Sequence, residues 1–324
     1  MDIYVKKAII HQFSPDDTDL YLADKFLNIT PKIEEYLRKK IERVYSDEAR
    51  TGIFEEDNPF LEMISDDLLE TSVAVANRWK EEFVVSENQK TNDLVFIQFS
   101  KEGVDHFAFL RIALRETLTH LGGEVDNPIK LTQNNLPGFG TGADEALVIN
   151  LQSHKYHLIE KRIKYNGTFL NYFSENLLQA QPKISPKKSI KALEKTAQKI
   201  AESFNTDDFQ FQSKVKSAIF NHIEEENKLS PEKLADDLFN DNLTARLSFI
   251  DQVKEAVPEP VTFEEIDASR QLKKFENQKL SLSNGIELIV PNNVYEDAES
   301  VEFILNENGT YSILIKNIED IQSK

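Results

Sequence analysis

Asp93-Leu-Val-Phe-Ile-Gln-Phe99 and His106-Phe-Ala-Phe-Leu-Arg-Ile-Ala-Leu114 are two short apolar and aromatic runs, parted by Lys101-Glu102-Gly103. Runs of this length and composition around a Gly-containing turn read as a β-hairpin. Downstream, Glu116–Leu121 offers a further strand and residues 126–144 a polar, Gly-rich loop; Ala146–Leu151 and Tyr156–Lys164 then resume the strand pattern. Upstream, residues 2–13 and 18–22 read as a strand pair joined by Ser14-Pro15-Asp16-Asp17. A helix follows, with Thr30 as cap, Pro31 at its first position, and Ile33, Leu37, Ile41 and Val44 on one face. Asn58-Pro59 opens a short helix, and Ser65 is the expected cap of a longer one that turns Leu69, Val73, Ala76 and Phe83 inward. Residues 1–180 are therefore expected to form a meandering, mostly antiparallel sheet with helices inserted near its start.

Gln181-Pro-Lys-Ile-Ser-Pro186 is the linker candidate, with two prolines and polar flanks. Beyond it the period is helical over roughly 186–204, 207–226, 231–240 and 243–256, and Ser185-Pro186 and Ser230-Pro231 each pair a cap with a first-turn proline. Pro258 and Pro260 close this block. Residues 280–316 return to strands, with turns at Ser283-Asn284-Gly285 and Asn306–Gly309. The expected class is α+β, in two domains: 1–180, then 186–324 with a helical block followed by β-hairpins.

Composition narrows the function. The chain has 324 residues, no cysteine and a formal charge of −18. Without cysteine there is no disulfide framework, thiolate metal site or cysteine nucleophile. The charge repels nucleic acid and anionic membrane from the protein as a whole. The first residues show neither a signal peptide nor an apolar stretch long enough to span a bilayer, so a cytoplasmic protein without membrane contact is expected. Both halves are acidic, with net −10 over residues 1–180 and −8 over 181–324.

No motif spells out a reaction. His154 and His157 have a spacing of three but lie in a strand-like segment with no third ligand. Leu136-Pro-Gly-Phe-Gly-Thr-Gly142 resembles a phosphate loop only in its glycines: Ala143-Asp144-Glu145 follows, where a P-loop needs Gly-Lys-Ser/Thr. It reads as a flexible surface loop, or less readily as a partner- or DNA-contacting tip. Carboxylates cluster at Glu55-Glu-Asp57, Asp66-Asp67, Glu224-Glu-Glu226 and Asp236-Asp237. Glu226-Asn227-Lys228 has the Glu-x-Lys part of a metal-dependent nuclease pattern, but at a helix end rather than on a strand. Solvated helix faces account for these groups. No catalytic, cofactor or metal residue is expected.

One basic feature stands out. Residues 183–199 carry six lysines and a single acid, Glu194, for a local net charge of +5. Lys187, Lys191, Lys195 and Lys199 recur every four residues and form one stripe on a helix; Lys188 joins that side and Lys183 precedes it. Ile190, Leu193, Ala197, Ile200 and Phe204 occupy the opposite face. Such a helix docks its apolar side on the protein and presents its lysines either to solvent or to a phosphate backbone. A helix-turn-helix over 207–256 is disfavoured, because residues 200–270 carry a net charge of −9 and a recognition helix must enter a groove walled with phosphates.

The order of these pieces resembles a bacterial family of nucleoid-associated proteins named for a mass near the 37.2 kDa of this chain. The likeness runs through Ala8-Ile-Ile-His-Gln-Phe13, Ile41-Glu-Arg-Val-Tyr-Ser46 into Gly52-Ile-Phe54, the hairpin Leu94–Phe99 with Phe107-Ala-Phe-Leu-Arg111, Ala146-Leu-Val-Ile-Asn150, Lys164–Phe173 and the Gly309 hairpin. It implies a non-enzymatic, cytoplasmic, nucleoid-located protein associated with DNA. The leading reading is then a binder of double-stranded DNA through the localised basic surface, as a homodimer, with nucleoid proteins as further partners. It supplies no catalytic motif and no DNA contact residue. Two alternatives remain open: an acidic interaction or DNA-mimic protein that reaches the nucleoid through a partner, and a metal-dependent nuclease.

Overall fold

A computed structural model describes all residues except 1, 17, 86–89, 121–128, 166, 206–209, 264, 321, 323 and 324. The chain divides into two compact units, Met1–Ser185 and Pro186–Lys324.

The first unit contains, in order, β1 (Ile3–Ser14), β2 (Asp19–Tyr21), α1 (Pro31–Val44), β3 (Arg50–Ile53), α2 (Pro59–Glu62) and α3 (Leu68–Phe83). Next come β4 (Asn92–Lys101), β5 (Val104–Ala113), β6 (Arg115–His120), β7 (Ile129–Asn135), β8 (Glu145–Asn150), β9 (Lys155–Ile159), β10 (Ile163–Tyr165) and β11 (Thr168–Leu170), then one π-helical turn, Phe173–Leu177. Seven strands form an antiparallel sheet in the order β2-β1-β4-β5-β8-β9-β3. Its centre is the hairpin β4–β5, paired from Asn92↔Ala113 to Lys101↔Val104. The two turn residues, Glu102 and Gly103, both have positive φ, 54° and 83°. That geometry matches the twist of the flanking strands, and Gly103 adopts it without strain.

Helices cover both faces, which is why β4 and β5 read as unbroken apolar runs rather than alternating ones. Alternate residues sort into two cores. Leu94, Phe96, Phe107 and Phe109 pack with Val75, Ala76, Trp79 and Phe83 of α3. Val95, Ile97, Ala108 and Leu110 pack with Leu37, Ile41 and Val44 of α1.

Local punctuation explains most helix starts. The Thr30 hydroxyl accepts from the Ile33 amide, and Asn58 Oδ1 accepts from the Phe60 amide at 2.9 Å. At α3 the expected cap is corrected: Asp67, not Ser65, accepts from the Leu69 amide, while the Ser65 hydroxyl donates to the Asp67 carbonyl. The buried face of α3 is accordingly rotated to Leu68, Ser72, Val75, Ala76, Trp79 and Phe83, with Val73 half-buried. Two readings of the middle segment also change. β6 leaves the main sheet and pairs with β7, so residues 129–135 are strand rather than loop. Only Ile129 and Leu131 are apolar there, among Lys130, Thr132, Gln133, Asn134 and Asn135, a composition easily taken for a polar loop. Leu121 and residues 126–128, at the ends of those expected elements, lie outside the described residues.

The second unit contains α4 (Pro186–Ser203), α5 (Phe211–Glu226), β12 (Lys228–Leu229), α6 (Pro231–Leu238), α7 (Leu243–Lys254), β13 (Val261–Thr262) and α8 (Glu265–Phe275). β14 (Asn277–Ser281), β15 (Glu287–Pro291), α9 (Asn292–Tyr295), β16 (Val301–Leu305) and β17 (Tyr311–Ile315) complete it. The helices enclose one apolar core that includes Leu193, Ile219, Leu234 and Phe249. Ser230 caps α6 by accepting from the Lys233 amide. Asn227 ends α5 in the left-handed conformation, with φ 48°. The helix α8 was not legible beyond the Pro258–Pro260 break, and residues 207–209, the expected start of α5, lie outside the described residues. β14–β15 and β16–β17 are hairpins that turn at Gly285 and Gly309, with φ 85° and 78°. The protein is α+β. Among the described residues no helix is long and apolar enough to cross a membrane.

Candidate nucleic-acid interface

The basic stripe lies on α4. Ile190, Leu193, Ala197, Ile200 and Ala201 are buried in the second unit's core, Phe204 packs partly buried against it, and Lys187, Lys188, Lys191, Lys195 and Lys199 are exposed. At 1.5 Å per residue, Lys187 and Lys199 stand about 18 Å apart along the axis. Lys199 Nζ donates to Gln252 Oε1 at 3.0 Å. Lys183 is not on this helix; it is an exposed residue of the first unit, whose backbone amide donates to the Thr51 carbonyl at 2.7 Å.

A groove of about 340 Å³ between α4 and α5 adds what the sequence did not signal. Lys191 and Lys195 line it together with Lys216 of α5, and Glu194 lies among them. Burial raises the Glu194 carboxyl above its ordinary value, against the pull of Lys216 and Lys191. Lys216 is hidden in the sequence because α5 also carries Glu224, Glu225 and Glu226; only helix packing brings it to the stripe.

Several basic residues elsewhere are held locally. Arg38 and Lys39 both pair with Glu42, at 3.1 and 3.2 Å, and Lys161 pairs with Asp144 at 3.2 Å. Lys40 is fully buried and donates to the carbonyls of Pro137, Gly138 and Thr141. Burial, with Arg43 and Arg115 nearby, pushes its pKa down to about 8. The Tyr36 hydroxyl also donates to the Pro137 carbonyl, at 3.0 Å, and the Tyr36 ring meets Phe139 edge-on. The Gly-rich loop is thus a surface segment tied to α1, with its carbonyls turned toward a lysine. A phosphate cradle would need amides instead.

Within the acidic clusters, Glu226 pairs with Lys233 and Asp236 with Arg246, Asp237 shares a hydrogen bond with His222 Nε2, and Asp67 caps α3. Among the described residues no three His, Asp or Glu side chains converge as metal ligands. His157 lies against the Tyr45 ring, 4.6 Å between centroids, and His154 occupies a turn with φ 54°.

The first unit's interior holds a buried polar group that sequence reading missed. Arg111 Nε donates to Glu145 Oε2 at 2.7 Å and its Nη1 to Asn92 Oδ1 at 2.9 Å. The Tyr172 hydroxyl donates to the same Glu145 oxygen and accepts from Trp79 Nε1 at 3.0 Å. Burial works against the Arg111 charge, yet Glu145 and Tyr172 outweigh it and hold the guanidinium protonated; burial and Glu145 raise the Tyr172 hydroxyl well above its ordinary value. Buried from solvent, this group ties α3, the sheet and the π-helical turn together.

The fold and the candidate interface define an acidic α+β protein with an exposed lysine stripe on one amphipathic helix, joined by Lys216 of α5. The family model NA37, nucleoid-associated protein YejK, matches residues 9–321, and the chain belongs to that family of nucleoid-associated proteins. No curated protein matches the chain.

Proposed function

We propose that the protein is a non-enzymatic nucleoid component that associates with double-stranded DNA through the lysine face of α4, extended by Lys216. The observation that carries this reading is the exposure of Lys187, Lys188, Lys191, Lys195 and Lys199 on a helix whose opposite face is buried. Membership of a nucleoid-associated family supports it. The surrounding acidity makes the contact narrow and oriented, because phosphates approaching from other directions meet net negative charge.

Gel shifts on duplex DNA across a salt series test the proposal. Contact of these lysines with about five phosphates gives a slope of log K against log salt near −4 to −5. Lys187→Glu with Lys191→Glu should abolish the shift at moderate salt. Unchanged affinity in that variant removes the stripe from the interface. Incubation of plasmid with the protein and Mg²⁺ or Mn²⁺ addresses the nuclease alternative, and intact plasmid is the expected result.

A further inference from the structure

The second unit holds a further concavity, of about 580 Å³, which the DNA reading does not use. Its floor is aromatic and aliphatic: Phe211 of α5, Leu238 and Phe239 at the end of α6, and Phe303 of β16. The volume is that of a small-molecule or side-chain pocket, and the apolar floor is where apolar side chains of an occupant would sit.

The floor continues beyond the cavity. In the β16–β17 hairpin, Val301↔Ile315, Phe303↔Ile313 and Leu305↔Tyr311 are cross-strand pairs. Residues two apart on a strand share a face, so one face of this hairpin is apolar at all three pairs. Val301 is buried, while its partner Ile315 is 48% exposed and Leu305 and Tyr311 are 64% and 55% exposed. The apolar surface thus runs out of the cavity and along the hairpin.

The rim is acidic. Asp241 and Glu296 are exposed lining residues. Glu302 pairs with Lys316 at 2.6 Å, and Lys214, the one cation in the lining, donates to the Leu238 carbonyl at 3.3 Å. The occupant that fits an apolar trough with a carboxylate rim presents apolar side chains flanked by cations. A second copy of this chain is a poor match: its own basic amphipathic helix, α4, already buries its apolar face.

We infer that this groove docks a basic amphipathic segment of another protein, with its apolar residues on Phe211, Phe239 and Phe303 and its cations against Asp241 and Glu296. Helix-in-groove recognition of this kind reads apolar anchors at helical spacing and takes its orientation from charge at the rim. The docking is independent of the α4 stripe, so a failed DNA assay leaves it standing.

The test uses the full chain and a fluorescein-labelled Leu/Lys amphipathic peptide of about 14 residues, read by anisotropy. An acidic protein attracts any cationic peptide, so two charge-matched variants are compared: Asp241→Lys with Glu296→Lys at the rim, and Glu224→Lys with Glu225→Lys at the end of α5. The rim variant should weaken binding by about tenfold or more and the control by less than about twofold, since only the former loses charges next to the docked segment. A Ser/Lys peptide of equal charge should bind at least about tenfold more weakly, for want of apolar anchors. Thermal melts establish that both variants fold. Equal losses in the two variants, or equal binding of the Ser/Lys peptide, overturn the inference. It is also overturned if sedimentation shows a dimer that the rim variant alone dissociates, which gives the groove to a second copy.

Discussion

Lys40 of α1 places its ammonium 2.9 Å from the carbonyl oxygen of Gly138, nearly a hundred residues away in sequence. The same nitrogen serves Pro137 and Thr141, so one buried cation organises the Gly-rich loop. Lys40→Met leaves buried carbonyls without a donor and should cost about 2–3 kcal/mol in a thermal or urea melt. Amide exchange at Thr141, whose N–H donates to Gly138, should accelerate in the same variant. The sign of the pH effect follows from a folded pKa near 8 against an ordinary 10.5. Between those values the unfolded chain keeps a proton that the folded one has released. The Lys40 contribution to stability therefore rises with pH across that window, and Lys40→Met should abolish the rise.

The Arg111–Glu145 pair predicts an asymmetry. Arg111→Met strands the buried Glu145 carboxylate and should destabilise by about 3–5 kcal/mol, whereas Arg111→Met with Glu145→Met should recover a large part of that loss. Urea denaturation of the two variants measures the difference.

His11 is fully buried. Its Nδ1 accepts from the Ala23 amide at 3.0 Å, so Nε2 carries the proton and donates to Ser72 Oγ, also at 3.0 Å. Burial lowers its pKa from 6.5 to about 4. As pH falls through 6.5 the unfolded chain binds a proton that the folded one refuses. Stability is then lost at up to about 1.4 kcal/mol per pH unit until pH reaches about 4. His11→Gln, which keeps an acceptor and a donor, should flatten that acid limb in melts run between pH 7 and about 4.

Glu194 lies among Lys191, Lys195 and Lys216 in the groove beside the lysine face. Under the DNA proposal, Glu194→Gln removes a charge that opposes phosphate and should tighten duplex binding by about twofold to fivefold, with little change in melting temperature. A gel shift at fixed salt reads the effect.

Gly52 faces Tyr156 across the β3–β9 pair: a Cβ built at Gly52 would stand 2.3 Å from the tyrosine hydroxyl oxygen. Tyr156 is buried against Phe54, with ring centroids 4.4 Å apart, and has little room to yield. Gly52→Ala should cost about 1–3 kcal/mol by overpacking, and Tyr156→Phe in the same chain should relieve part of it. Melting temperatures of the two variants provide the check.

Much of this protein was written locally. The hairpin β4–β5, the starts of α1 and α2 at Thr30-Pro31 and Asn58-Pro59, the amphipathic α4 and the C-terminal hairpins all follow from short-range chemistry: caps, turn glycines and apolar periodicity. What was not legible is which of several options of equal local chemistry the chain takes. The start of α3 hung on which of Ser65 and Asp67 met an open amide, and the pairing of β6 with β7 hung on a register that the main sheet did not offer.

The candidate surfaces divide in the same way. Residue order alone determined that Lys187, Lys191, Lys195 and Lys199 share one helix side, because a spacing of four is nearly a full turn. Only the tertiary structure decided that Lys216 joins them, that Lys40 is an interior anchor rather than a surface charge, and that Phe211, Phe239 and Phe303 open onto one groove. Periodicity assigns a side chain to a face of its own element. Which neighbour covers that face is set by packing between elements far apart in the chain.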